Sequence, residues 1–136
     1  MIGIVVLSHG SLAEALVTTA VGLVGAREDV TALGLAAGDS PESLGTRLRA
    51  IADEQRRDLL LLCDLRGGTP HQVAVDCVRR LGSAHAAALT GVNLGMLCEA
   101  VLLCEQSTSV DELSARLVRV GVEQVERFGG ADAVAP

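Results

Sequence analysis

Hydrophobic positions along the 136-residue chain switch repeatedly between continuous apolar runs and a spacing of three and four, and the alternation lays out the elements. Residues 2–7, Ile-Gly-Ile-Val-Val-Leu, are a short unbroken run, the pattern of a central strand buried on both faces. Residues 59–63, Leu-Leu-Leu-Leu-Cys, repeat it more strongly, and 30–35 and 86–90 read as weaker strands. Between these runs the spacing turns helical. Ser11-Leu-Ala-Glu14 reads as a capping box, followed by a face of Leu12, Leu16, Ala20 and Leu23 and closed by Gly25. Ser40-Pro41 opens a second helix with Leu44, Leu48 and Ile51 inward and Arg47, Arg49, Asp53 and Glu54 solvated. Thr69 as N-cap, Pro70 at the first helical position and Gln72 make a further capping box, ahead of a face of Val73, Cys77, Val78 and Leu81. Residues 94–104 form a largely apolar helix, expected to be sandwiched. Ser109-Val-Asp-Glu112 caps the last helix, with Val110, Leu113, Leu117, Gly121 and Val125 inward and Glu112–Arg116 and Glu123–Arg127 as exposed pairs.

Strands alternating with helices imply an α/β fold, an open, doubly wound, mainly parallel sheet of four strands with helices on both faces. Four strands are too few to close a barrel. One domain is expected over residues 1–128, without repeat or linker, and residues 129–136 read as a frayed tail.

Composition narrows the function. Hydrophobic residues make up 49% and aromatics 1%, so Leu, Val, Ile and Ala must fill the core, and the stacking platforms of single-strand binders are missing. A net charge of −6 opposes a DNA or anionic-membrane surface, so no nucleic-acid partner is expected. No apolar run approaches membrane-spanning length, and the opening lacks the basic leader of a secretory signal; the expectation is a cytoplasmic protein. The four cysteines form no C-x-x-C pair and read as buried thiols. Zinc held by some of Cys63, His71, Cys98 and His9 would lack the usual paired spacing, and no metal is expected.

Open parallel sheets gather their ligands at the carboxyl ends of the strands, here residues 8–10, 36–39, 64–69 and 90–93. His9 leaves the first apolar run beside Gly10 and a helix start. If the first and third strands are neighbours, His9 and Asp64 face each other. A carboxylate beside an imidazole fixes which nitrogen is protonated and leaves the other free as nucleophile or base. Helix N-termini at Ser11 and Thr69-Pro70, with the backbone of Gly10, Gly67 and Gly68, suit an anion, phosphate above all. Arg66 adds a positive charge. There is no Walker loop and no carboxylate cluster for Mg²⁺, so the site holds phosphate without the means to bind a nucleotide. His71 and His85 read as exposed residues of a helix start and an edge strand.

Ile4-Val-Val-Leu-Ser-His-Gly10, Asp64-Leu-Arg-Gly-Gly-Thr-Pro70 and Gly91-Val-Asn-Leu-Gly-Met-Leu-Cys-Glu-Ala100 together resemble the signature stretches of the mannose/fructose-type IIA domain of the bacterial phosphoenolpyruvate-dependent sugar phosphotransferase system. The resemblance runs in register over about the first hundred residues. It implies a phosphocarrier, a phosphotransferase component with strand order 2-1-3-4. The histidine matching His9 accepts a phosphoryl group from the phosphohistidine of the carrier HPr and passes it to a IIB domain, and the aspartate matching Asp64 hydrogen-bonds the ring. Donors at Gly10, Ser11, Gly67, Gly68 and Thr69 would cradle the group, which is carried covalently with no cofactor. The resemblance also implies a homodimer, with the helix at 94–104 as one candidate surface, and contact with the membrane only through the permease subunits.

Three positions depart from the family pattern. Arg66 and His71 stand where apolar or aromatic residues are frequent, on the expected docking rim, and Gly95 stands where proline is usual and would loosen its helix start. Three other readings compete with this one, and the first of them shares the architecture. A receiver domain needs acidic residues after the first strand, where this chain has Ser8-His9. A small tetrapyrrole metal chelatase begins with a similar His-Gly-Ser exit but needs a second histidine near a later strand end, and Gly91-Val-Asn93 offers none. The phosphotransfer subunit of dihydroxyacetone kinase has related chemistry, but the Gly-Gly-Thr-Pro loop points to the sugar system.

Overall fold

In the computed structural model, which describes residues 1–131, strand β1 (Ile2–His9) is the axis of a four-stranded parallel sheet. The remaining elements are α1 (Leu12–Val24), β2 (Val30–Leu35), α2 (Pro41–Gln55), β3 (Asp58–Cys63), α3 (Thr69–Leu81), β4 (Ala86–Leu89), α4 (Leu94–Leu103) and α5 (Val110–Glu123). The sheet order is β2-β1-β3-β4, the order that the family resemblance implies. Residues 132–136 of the expected tail lie outside the described residues.

Alternation along the two central strands splits the core into two layers. Ile4, Val6, Leu60 and Leu62 meet Ala13 and Ala20 of α1, Leu97 of α4 and Leu117 of α5 on one face. Val5, Leu7, Leu61 and Cys63 meet Leu44 and Leu48 of α2 and Ala74 of α3 on the other. Residues 4–7 of β1 and 59–63 of β3 are apolar without a break because both faces are covered. The apolar helix α4 does lie between neighbours, packed against α1 and α5. Asn93 caps it, accepting from the Met96 amide at 3.0 Å, and its side-chain nitrogen donates to the Gly121 carbonyl at 3.0 Å, tying the start of α4 to the end of α5. Gly95 does not leave this start bare, since the Gln124 side chain occupies the space that a Cβ would take.

Several local expectations are corrected by packing. β1 runs two residues further, through Ser8 and His9, because both continue the pairing with β2. Ser11 precedes α1 but its side chain caps nothing, so the capping box with Glu14 does not form. Ser8 takes that role from inside the strand: its fully buried Oγ accepts from the Ala13 amide at 2.7 Å. The buried face of α1 is accordingly Ala13 and Ala20, with Leu16, Val17 and Val24 alongside, whereas Leu12 and Leu23 are exposed. Thr69 is the first residue of α3 rather than its N-cap; Gly68 holds that position, with no side-chain cap. The caps by Ser40 and Ser109 form as expected, accepting from Ser43 and Glu112 at 3.1 Å. α5 ends at Glu123, which leaves Val125 exposed beyond it, and Arg116 pairs with Glu99 at 3.3 Å instead of Glu112. Arg127 lies beyond the end of α5 and donates to the Gly129 carbonyl at 3.1 Å.

The exchange of caps has a measurable consequence. Ser8→Ala strands a buried amide, which costs about 1–3 kcal/mol. Ser11→Ala removes no bond and is expected to leave stability unchanged. Urea unfolding of the two variants checks the difference; equal midpoints would show that Ser8 is not the cap.

Candidate active site

The site follows from one adjacency. β1 and β3 pair with Leu7 opposite Cys63, and the Asp64 amide continues the ladder by donating to the Leu7 carbonyl at 3.2 Å. The residues that follow emerge side by side at the carboxyl end of the sheet. Asp64 Oδ2 accepts from the His9 amide at 2.8 Å and lies 2.9 Å from His9 Nδ1, and Oδ1 accepts from the Leu65 amide at 2.8 Å. The Asp64 side chain is 9% exposed and the imidazole 45%. Burial pushes the Asp64 carboxyl up, but the His9 amide, the His9 ring and the Leu65 amide outweigh it and hold the pKa below the ordinary value. An ionised carboxylate only accepts, so Nδ1 carries the ring proton and Nε2 keeps its lone pair.

That free nitrogen faces backbone. A Cβ on Gly68 would stand 2.8 Å from His9 Cε1 and 3.4 Å from Nε2. Gly68 has φ −76° and ψ 172°, which any residue adopts, so the ring and not the backbone demands glycine here. Neighbouring Gly67, at φ 82°, supplies the left-handed turn that brings the loop over the ring.

The amides expected to bind phosphate divide into two groups. Those of Gly10 and Gly67 are already engaged: Gly10 donates to the Leu35 carbonyl at 2.8 Å, and Gly67 donates to His71 Nδ1 at 2.9 Å. Those of Ser11, Gly68 and Thr69 make no hydrogen bond within the protein among the described residues. Gly68 and Thr69 open α3, so the unpaired N–H groups and positive end of a helix begin in contact with the His9 ring. Arg66 is exposed on the same loop. His71 is half-buried and turned back to Gly67 instead of standing free on α3. His85, at the other end of the sheet, is largely exposed and lies 3.0 Å from Asp58.

Among the described residues no three His, Cys, Asp or Glu side chains gather into a metal-binding group, so Cys63, His71, Cys98 and His9 do not form one. Cys63 is buried with its Sγ 3.8 Å from the Pro70 carbonyl, and burial together with the Asp64 charge pushes its pKa up to about 12. Cys77 and Cys104 are also buried free thiols, and Cys98 is half-buried. Sequence reasoning missed Ser8 as a cap, the Gly67–His71 bond and the bridging role of Asn93. Only Asn93 carried a local signal, a good N-cap residue before an apolar helical run.

Asp64→Asn keeps a side-chain oxygen that can orient the His9 ring but removes the charge beside it. It should therefore change the acid response. With the folded pKa depressed, the carboxylate's stabilisation is complete above the ordinary value near ~3.9 and is lost as pH falls through the folded value. The asparagine variant should lack that part of the acid slope in unfolding curves; an unaltered slope would place Asp64 outside the linkage.

The family model described as PTS system fructose IIA component, EIIA-man, matches residues 3–118. The PTS system mannose-specific EIIAB component of Escherichia coli strain K12 is 34% identical over 127 residues, covering 92% of this chain. The chain spans 39% of that relative's length. Among solved structures, phosphotransferase system component EIIA from Streptococcus agalactiae matches with a TM-score of 0.87 at 28% identity, covering 94% of this chain and 98% of that one. The mannose/sorbose specific IIA subunit from Enterococcus faecalis matches with a TM-score of 0.83 at 29% identity, covering 95% and 96%.

Proposed function

This chain belongs to the EIIA-man family of PTS fructose IIA components, and from that premise we propose that His9 is the phosphoryl acceptor of a sugar phosphotransferase system. The observation that carries the reading is the 2.9 Å contact of His9 Nδ1 with Asp64, which leaves Nε2 free against the Gly68 backbone at the start of α3.

The Nε2 lone pair attacks the phosphorus of a donor phosphohistidine as the donor's N–P bond breaks and its electron pair returns to the donor ring. The Nδ1 proton stays where it is, and the ring becomes an imidazolium bearing a phosphoryl dianion. Asp64 balances the positive ring, while the Gly68 and Thr69 amides and the N-terminal end of α3 face the equatorial oxygens. On the return step the N–P pair goes back to Nε2, and imidazole leaves readily. Nucleophile, counter-charge and donors all come from the chain, and in this reading the group is carried covalently without a cofactor.

The donor in this reading is an HPr-like phosphocarrier and the acceptor a IIB domain, with Arg66 on the docking rim and sugar uptake or regulation downstream. A cytoplasmic location suits both partners, and no helix among the described residues is long and apolar enough to cross a membrane. A second copy of the chain is also proposed as a partner. The apolar helix α4 is mostly spent on the core, with Met96, Leu97, Ala100 and Val101 buried and only Leu102 clearly outside, so it is a poor candidate for that surface. The chelatase reading loses its ground, since Asn93 stands at the later strand end as a helix cap.

Incubation with phosphoenolpyruvate, enzyme I and HPr is the test. One acid-labile phosphoryl group mapped to His9 by mass spectrometry is the expected result. No uptake, or uptake at another residue, would overturn the assignment.

A further inference from the structure

The loop that covers His9 is tied down at three points, and each tie has a different chemistry. The Gly68 carbonyl accepts from the Gln72 amide at 3.0 Å, as the first bond of α3. The Gly67 carbonyl lies 3.4 Å from the Gln72 side-chain nitrogen, a weaker bond. The Gly67 N–H donates to His71 Nδ1 at 2.9 Å, reaching forward across four residues to a half-buried ring on α3. Gly67 sits in the left-handed region, where glycine is also free to leave, so its conformation needs an external hold.

We propose that His71 is a positioning residue for phosphoryl transfer, holding the Gly67–Gly68 turn against His9 by accepting the Gly67 amide on Nδ1. The proposal rests on the reading of His9 as the acceptor. An amide only donates, so His71 Nδ1 must be unprotonated, with the ring proton on Nε2. His9 requires the opposite arrangement, with Nδ1 protonated towards Asp64. Two histidines at one site therefore hold opposite tautomers, each set by its backbone or carboxylate partner. The hold also selects the cradle. With the Gly67 amide engaged, the donors left on this loop are those of Gly68 and Thr69, and Gly68 is the residue whose backbone lies against the His9 ring. Loosening residue 67 moves the next peptide, and small misplacements beside a reacting atom are costly in rate.

His71→Phe keeps a ring of similar bulk without an acceptor, and His71→Asn keeps an acceptor at the same reach without the ring. The phenylalanine variant is expected to accept the phosphoryl group from phospho-HPr about 10-fold more slowly, with the KM for the donor within about 2-fold. The asparagine variant should recover to within about 3-fold of the parent chain. Hydrogen exchange at the Gly67 amide should be protected in the parent and the asparagine variant and fast in the phenylalanine variant. Nitrogen chemical shifts should report the Nε2–H tautomer at residue 71. A phenylalanine variant at the parent rate, or an asparagine variant as slow as phenylalanine, overturns the positioning role. A parent chain that takes up no phosphoryl group overturns the His9 reading instead, while an unprotected Gly67 amide or an Nδ1–H tautomer at His71 overturns the hold itself.

Discussion

His9→Ala is expected to take up no phosphoryl group from phospho-HPr while keeping its fold. The imidazole is nearly half exposed, and Asp64 retains the residue-9 and Leu65 amides when the ring is gone. Unfolding free energy should therefore fall by about 1 kcal/mol or less. The effect on transfer is expected to be total because neither other histidine can take its place: His71 spends its Nδ1 lone pair on the Gly67 amide, and His85, though paired with Asp58, lies just before β4 at the opposite end of the sheet from the start of α3. Radiolabel from phosphoenolpyruvate that persists in the variant would move the phosphorylation site to another residue. Loss of label with loss of the fold, read by circular dichroism, would show that the histidine is structural.

Gly68→Ala carries the second-largest expected effect, and its cause is steric. The added methyl would lie 2.8 Å from His9 Cε1, so the ring or the loop must move. The ring is pinned to Asp64 at 2.9 Å, and the loop holds the Gly68 backbone against the ring, so either movement is expected to damage transfer. A displacement of about 1 Å beside the reacting atom costs about 10²-fold in rate. The stability cost should be modest and should depend on the imidazole. In a double-mutant cycle, Gly68→Ala on top of His9→Ala is expected to cost less stability than Gly68→Ala alone, since the clash is gone. Equal costs in the two backgrounds would mean that glycine serves the backbone rather than the ring, and its extended φ and ψ argue against that.

Much of the architecture was legible along the chain. β2 matches its predicted bounds, β3 gains one residue, and β4 and α4 each lose one. Leu44 and Leu48 in α2, and Leu113 and Leu117 in α5, face the core as their spacing predicts. His9 and Asp64 were legible as a pair only on the assumption that their strands are neighbours, which the sheet order supplies. The face of α1 was misread at its two ends: Leu16 and Ala20 turn inward as expected, but Leu12 and Leu23, apolar by type, are exposed and Ala13 is buried in place of Leu12. Small side chains there let α1 approach closely, and hydrophobicity alone ranks leucine above alanine.

The sequence by itself determined what near neighbours decide: strand and helix periods, the caps at Ser40 and Ser109, and a histidine set at a strand exit. Tertiary structure decided which donor meets which acceptor. Ser8 displaced Ser11 as the cap because a strand residue five positions away reaches the Ala13 amide. Arg116 chose Glu99 on another helix over its own neighbour, Glu112. The Gly67 amide went to His71, and it is Gly68 that lies against the His9 ring. Hydrogen bonds are short and directional, so a partner within four residues along the chain is only a candidate until packing fixes where each atom lies.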